Sequence, residues 1–380
     1  MERSLLFNRI AYNPPSWISN NVNPNIIPSS RIVLGRLPTP IHRFNYDNDI
    51  TDSDIHCWIK RDDLTSFDLS GNKVRKLEFL MTEALDGDYD SIITIGGIQS
   101  NHARSTAVAS RQLGFTPYLI LRSKETPEEY DISGNLMLDR LVGAEIHQVT
   151  PSTYAQIGSV NLTHQLAVQL EEQGKKPYII PVGGSNALGC FGYLDAVQEI
   201  IDQLAHPVTR STILGDKNDF DHIVFACGSG GTAAGLSIGI KLAGLPTKVH
   251  AVCVCDSPDY FYKHIEETAI ALGINLDIIG KPQEWLDIYP GQGLGYARST
   301  DDELEYIKQV GSQTGIVFDP VYSGKALYNF KTIVKSNPNV FKKGDSILFI
   351  HTGGVFGMYE KQNQLLPLLQ PVVKMKVVKP

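Results

Sequence analysis

The chain has 380 residues and a mass of 41.9 kDa, room for two or three domains at about 150 residues each. With 42% hydrophobic and 20% charged residues it has an ordinary globular composition, which excludes global disorder. A net charge of −7 argues against a general nucleic-acid binder, and no apolar run approaches the roughly 20 residues of a membrane span.

The first 50 or so residues are rich in Pro and Asn and read as an extended arm. The start, MERSLLFNRIAYNPPSW, has no h-region before a small-residue cleavage site, which argues against secretion and leaves a short organellar leader open. Beyond the arm, short β-rich runs end in Gly-rich turns and lead into helical patterns. A strand-like Trp58–Asp62 precedes LSGNKVRKL (69–77), which begins a helix. Ser91–Ile95 runs into Gly96-Gly97 and a helix over Ser100–Leu113, and Tyr118–Arg122 is followed by Gly134–Val142. Tyr178–Val182 leads through Gly183-Gly184 to a helix near Leu188–Leu204; the polar stretch Leu204–Asp221 reads as a surface loop. His222–Cys227 meets GSGGT and a helix to Leu242, and Val249–Cys255 is followed by Pro258–Leu272. Ser346–Thr352 meets Gly353-Gly354 and a last helix to about Leu369. Near-continuous apolar strands alternating with helices predict an α/β fold, a parallel sheet covered on both faces. Ligands of such folds sit at the carboxyl ends of the strands, where these glycine turns lie.

Cys57, Cys190, Cys227, Cys253 and Cys255 are odd in number and form no C-x-x-C pair. Neither a disulfide framework nor a zinc site is indicated, and no metal is expected. A reducing, cytoplasmic compartment fits best, with a mitochondrial one as the alternative.

There is no H-E-x-x-H and no G-x-x-x-x-G-K-[ST]; GGSNA (183–187) approaches a G-x-S-x-G elbow but ends in Ala. The run Gly228, Ser229, Gly230, Gly231, Thr232, Ala233 follows an apolar strand and opens a helix. Its glycines let the backbone approach an anion, and the helix start offers free N–H groups. It also matches the dinucleotide pattern G-x-G-x-x-A, but Asp256 lies too far along to be the ribose acid. A tight turn without ligand is the plain alternative.

Lys73, Arg75 and Lys76 fall in the first turn of one helix, where cations oppose the helix dipole unless an anion neutralises them. Either they form a solvated basic helix end, or Lys73 is a desolvated lysine able to bind a carbonyl cofactor covalently. In GGIQSNHAR (96–104), Ser100 is a natural N-cap, Asn101 and His102 follow in the first turn, and His102 is a base or a structural histidine.

Eight segments stand in order: RLPTPIHR (36–43), WIKRDD (58–63), SGNKVRKLEFL (70–80), IGGIQSNHAR (95–104), PVGGSNALG (181–189), ACGSGGT (226–232), DPVYSGKA (319–326) and HTGG (351–354). Together they resemble the D-cysteine desulfhydrase and 1-aminocyclopropane-1-carboxylate deaminase family of fold-type II enzymes using pyridoxal 5'-phosphate. The resemblance implies a tryptophan synthase β-like fold with two open, twisted, mostly parallel sheets and helices on both faces. It implies a large cofactor-binding domain of residues 1–75 and 185–380, a small domain of 76–184, and a site in the cleft between them. Lys73 matches the lysine joined to the cofactor, Lys76 a lysine near its phosphate, and Gly228–Thr232 the phosphate cradle. Asn101 matches the residue beside the cofactor's 3'-oxygen and Ser100 a residue near the substrate carboxylate. Tyr322 matches the aromatic against the cofactor ring and Tyr296 a second active-site tyrosine. Deaminases carry Glu after the ring tyrosine and Leu in the last G-G motif; Ser323 and Thr352 stand here and match the desulfhydrase branch. The implied reaction is α,β-elimination from D-cysteine to hydrogen sulfide, pyruvate and ammonia. Deamination of the cyclopropane acid, or elimination from another D-amino acid such as β-chloro-D-alanine, is the alternative. A small amino-acid substrate and a homodimer are implied, with no nucleic acid and no membrane partner.

Overall fold

The structure, a computed structural model, describes residues 7–46, 55–123, 132–215, 217–373 and 375. Residues 1–6, on which the leader question rests, lie outside it. The arm is not plainly extended. It holds β1 (Arg9–Ala11) and β2 (Ser30–Ile32), an antiparallel pair, and a one-turn helix, Ser16–Ser19. Ile18 and Ile32 anchor it because both are fully buried, a gain of about 1.5–3 kcal/mol per side chain.

Two sheets follow. The larger has six strands in the order β11-β10-β9-β12-β4-β3. These are β3 (Ile41–Arg43), β4 (His56–Lys60), β9 (His222–Cys227), β10 (Lys248–Cys253), β11 (Leu286–Pro290) and β12 (Ser346–Ile350). All pairs are parallel except β3 with β4. The smaller sheet, order β7-β6-β5-β8, is fully parallel: β5 (Ser91–Gly97), β6 (Thr116–Arg122), β7 (Glu145–Val149) and β8 (Pro177–Ile179).

The two-residue period of a strand sorts the side chains onto two faces. In the larger sheet Ile223, Phe225, Ala251, Cys253 and Leu348 meet the Ala187–Ala205, Gly231–Leu242 and Pro258–Ala271 helices. Val224, Ala226, Val252, Ile347 and Phe349 meet the Asp301–Thr314 and Ser323–Ser336 helices on the other side. Both faces are dry, which is why these strands read as unbroken apolar runs. This is the fold-type II architecture that the eight segments imply.

Two readings are corrected. The polar stretch Leu204–Asp221 is not a bare surface loop: it contains a helix, Pro207–Leu214, with Pro207 at its first position and Ile213 and Leu214 buried. Its polar residues masked two anchors that reach the core only once the Ala187–Ala205 helix is in place. The last helix is mostly 3-10 turns, Val355–Lys361 and Leu366–Leu368, around one α-turn at Gln362–Leu365. Among the described residues no helix is long and apolar enough to cross a membrane.

The Lys73–Asp86 helix joins the two halves of the fold. Val74, Leu77, Leu80, Met81 and Ala84 enter one core and Phe79 another. Arg75 is fully buried, and its guanidinium grips Asp62 at 2.8 and 2.9 Å and Glu199 at 2.9 and 3.0 Å. Glu199 also accepts from Lys60, and Asp62 from the Tyr193 hydroxyl at 2.7 Å. This network fixes the start of the helix against the Ala187–Ala205 helix and the end of β4.

Candidate active site

The carboxyl ends of β5, β6, β9, β10 and β12 converge on a cleft of about 390 Å³ that continues into a narrow pocket. Lys73, Gly228, Ser229 and Tyr322 line both spaces. Asn101, Gly230, Thr232 and Thr352 line the pocket, and Ser100 and Tyr296 the cleft.

Lys73 arrives there through tight backbone packing. Gly71 takes φ +98°, and a methyl group on it would stand 2.7 Å from the Thr352 carbonyl oxygen, so glycine is required. Asn72 N–H donates to that carbonyl at 3.1 Å, and Asn72 Nδ2 donates to Thr232 Oγ1 at 3.0 Å. The start of the Lys73 helix is thereby tied to both glycine turns. Burial lowers the Lys73 ammonium from its ordinary range to about 8.

The Gly231–Leu242 helix has Gly230 at its N-cap, no side-chain cap and no acid in its first turn. Its free N–H groups and the helix dipole attract an anion. Ser185 Oγ accepts from Gly231 N at 3.2 Å and lies 2.9 Å from Ser229 Oγ. Lys76 donates to the Gly183 carbonyl at 3.0 Å and approaches Ser185. Burial, then the charge of Lys73, pushes Lys76 well below the usual lysine range. The GGSNA segment, which resembled a hydrolase elbow, is therefore one wall of this cradle. Ser185 and Asn72 escaped sequence reasoning because their partners lie 44 to 160 residues away.

At the pocket's other end Ser323 Oγ and Thr352 Oγ1 are 2.9 Å apart, and Thr352 N–H donates to Ser323 Oγ at 3.1 Å. Asp319 stands behind them and accepts the N–H groups of Val321, Tyr322 and Ser323 at 2.7–3.0 Å. Burial raises its carboxyl to about 6 against the pull of those donors. Tyr322 packs on Gly228, where a methyl group would meet its ring at 2.7 Å. Its hydroxyl lies 2.6 Å from that of Tyr296. Burial raises both phenols; the Tyr322 hydroxyl and the Arg122 charge draw Tyr296 partly back.

Ser100 caps its helix by accepting Ala103 N–H at 3.2 Å. Asn101 accepts from Asn135 at 2.9 Å, and Asn135 is held in turn by Arg104. His102 is buried against Thr94 Oγ1 at 3.0 Å, and burial together with the Lys73 and Lys76 charges pushes it well below its usual range. It also lines the cleft beside Ser100.

A desolvated amine facing an anion cradle, with hydroxyls at the far end of the pocket, suits a cofactor carrying both a carbonyl and a phosphate. The pyridoxal-phosphate dependent enzyme family matches residues 32–353, and the chain belongs to it. More narrowly, it is 48% identical over 362 residues to an Arabidopsis thaliana protein, spanning 94% of this chain and 86% of that one. The Arabidopsis protein is named a bifunctional D-cysteine desulfhydrase/1-aminocyclopropane-1-carboxylate deaminase, mitochondrial, and the chain falls in that family group. The crystal structure of an ACC deaminase homologue superposes with TM-score 0.75 at 32% identity, covering 93% of this chain and 98% of the other. A hydrogen sulfide-producing enzyme from Fusobacterium nucleatum shares the fold, with TM-score 0.58 at 16% identity over 84% of this chain and 96% of its own. The cofactor is pyridoxal phosphate, which removes the dinucleotide alternative at GSGGTA.

The cradle predicts a direct effect. Lys76→Met is expected to weaken cofactor binding about 10- to 100-fold, the value of a charge-assisted hydrogen bond, measured by equilibrium dialysis. Unchanged affinity would remove Lys76 from the phosphate site. Gly230→Val is a poorer probe, because Gly230 has φ +84° and an added carbon would stand 2.3 Å from His264 Cδ2.

Proposed function

We propose that the protein is a pyridoxal-phosphate dependent lyase that eliminates hydrogen sulfide from D-cysteine, leaving aminoacrylate, which takes up one water to give pyruvate and ammonia. The observation that carries this reading is the Ser323–Thr352 hydroxyl pair, standing where deaminases of the family carry Glu and Leu. Lys73 would hold the cofactor, with the Gly228–Thr232 backbone and Lys76 at its phosphate, Asn101 at its 3'-oxygen and Thr352 at its ring nitrogen. Bound, the cofactor supplies an electron sink for negative charge at the substrate Cα. A hydroxyl partner leaves the ring nitrogen neutral, whereas a Glu would favour its protonated form. The weaker sink suffices when a good leaving group departs from Cβ, as thiolate does; a cyclopropane ring offers none.

The residues divide the remaining work. The N–H groups at the start of the Ser100 helix receive the substrate carboxylate. Lys73 Nζ takes the Cα proton, because burial makes this amine easy to deprotonate while it keeps both phenols protonated. The Cβ–S bond breaks with its electron pair on sulfur, and the Tyr296–Tyr322 hydroxyl pair returns a proton to the departing side. The division into 1–75 with 185–380 and 76–184, with the site between them, belongs to this reading, as does a homodimer. All five cysteines are free, which suits a reducing, cytoplasmic compartment; the Arabidopsis relative is named mitochondrial, and cell fractionation tests the choice.

The name of that relative carries both reactions, so both substrates are assayed together. Wild type is expected to release sulfide from D-cysteine, little from L-cysteine, and ammonia only slowly from the cyclopropane acid. Ser323→Glu with Thr352→Leu is expected to shift the ratio toward the cyclopropane acid. A wild type that prefers the cyclopropane acid overturns the reading.

A further inference from the structure

One cation in the cleft has no part in the reaction as proposed. Arg122 ends β6, and its register partner is Gly97 of β5, three residues before Ser100. Its guanidinium carbon lies 4.8 Å from the Tyr154 ring centre and 5.9 Å from that of Tyr296. The two rings hold the guanidinium in place but cannot accept its five N–H donors as a carboxylate would. Among the described residues the Arg122 guanidinium donates no hydrogen bond and pairs with no carboxylate. Arg31, Arg61, Arg75 and Arg104 all find such partners. Arg122 is half-buried and lines the cleft with Lys73, Ser100, Tyr296 and Tyr322. A partly desolvated guanidinium with its donors free is a receptor for an anion. The substrate's α-carboxylate has its own site at the start of the Ser100 helix, so Arg122 is left for a different group.

We propose that Arg122 receives a negatively charged substituent on the substrate's β-carbon. This rests on the reading above and narrows it: the substrates are D-amino acids whose β-group is an anion or departs as one. Thiolate meets that condition on leaving, and a β-sulfonate or β-carboxylate meets it at rest. Asp256 lines the same cleft but is exposed, where water weakens its repulsion.

D-Aspartate and D-asparagine have nearly the same shape and differ by one charge at the β-substituent. In calorimetric titrations of the cofactor-loaded protein, wild type is expected to bind D-aspartate at least tenfold more tightly. Arg122→Gln is expected to erase the difference, and Arg122→Lys, which keeps the charge without the planar fork, to restore part of it. Equal affinities in wild type, no binding of either, or a preference that survives in Arg122→Gln overturns the proposal. So does an Arg122→Gln protein that binds neither, since the arginine would then serve the carboxylate or the fold. Sulfide release from D-cysteine is measured on the same preparation. A wild type that releases none yet prefers D-aspartate overturns the desulfhydrase reading and leaves the Arg122 site standing.

Discussion

Replacing Lys73 with alanine is expected to lower turnover by about 10³-fold or more and to abolish the visible absorbance of the bound cofactor, because the proposed reaction gives this lysine both the covalent attachment and the base. The same side chain is a burden on the cofactor-free fold. Its ammonium is held near 8, against an ordinary value of 10.5, because burial disfavours the charge. A lysine lowered in the folded state destabilises fully below the folded value. The penalty is relieved as pH rises from about 8 toward 10.5. Lys73→Met in the cofactor-free protein is therefore expected to be more stable than wild type by about 1–3 kcal/mol at pH 7, with the gap closing by pH 10. Thermal unfolding at the two pH values measures this. A Lys73→Met protein that is less stable at pH 7 would show that the lysine contributes to packing more than its burial costs.

The second large effect falls on a residue that touches no part of the proposed reaction. Arg75→Met is expected to cost about 3–5 kcal/mol, because it leaves Asp62 and Glu199 facing each other in the interior with only Lys60 between them. The melting temperature should fall on the order of 10 °C, and cofactor affinity should fall with it, since Lys73 and Lys76 flank Arg75 on the same turn. Burial alone would raise the Asp62 carboxyl; Arg75 and Lys60 overcome it and hold Asp62 down to about 2. That stabilisation is present above the ordinary carboxylate value near 3.8 and is lost as pH falls toward 2. Without Arg75 the burial is less opposed, and Asp62 takes up a proton at a higher pH. The difference between wild type and variant should thus be widest at neutral pH and narrow on acidification. A difference that does not change between pH 7 and pH 4 would mean that lost packing dominates.

These two variants separate what was legible in the sequence from what was not. Lys73 could be singled out because a lysine after Ser-Gly-Asn at a helix start is locally anomalous, and because seven other segments stood in a familiar order around it. Arg75, two residues on, looked like part of the same uncompensated basic cluster. Its carboxylate partners lie 13 and 124 residues away, and no local pattern records them. Ser100 was visible as an N-cap because capping involves neighbours three residues apart. His102 keeps two roles in the sequence, since its burial and its contact with Thr94 are set by packing.

By itself the sequence determined the features whose physics is local. Unbroken apolar strands require a sheet covered on both faces, glycines end those strands where the backbone must turn tightly, and GSGGT leaves helix N–H groups free for an anion. Tertiary structure alone decided what depends on distant partners. The Pro207–Leu214 helix forms because Ile213 and Leu214 find a core that other elements build. Ser185 becomes part of the anion cradle only when its loop meets the turn after β9. Ser323 and Thr352, 29 residues apart in the chain, become one hydroxyl pair only when the start of the Ser323–Ser336 helix packs against the end of β12. Arg122 likewise becomes a free cation in the cleft only because parallel pairing sets it beside Gly97 and two aromatic rings, a contact no window of the sequence contains.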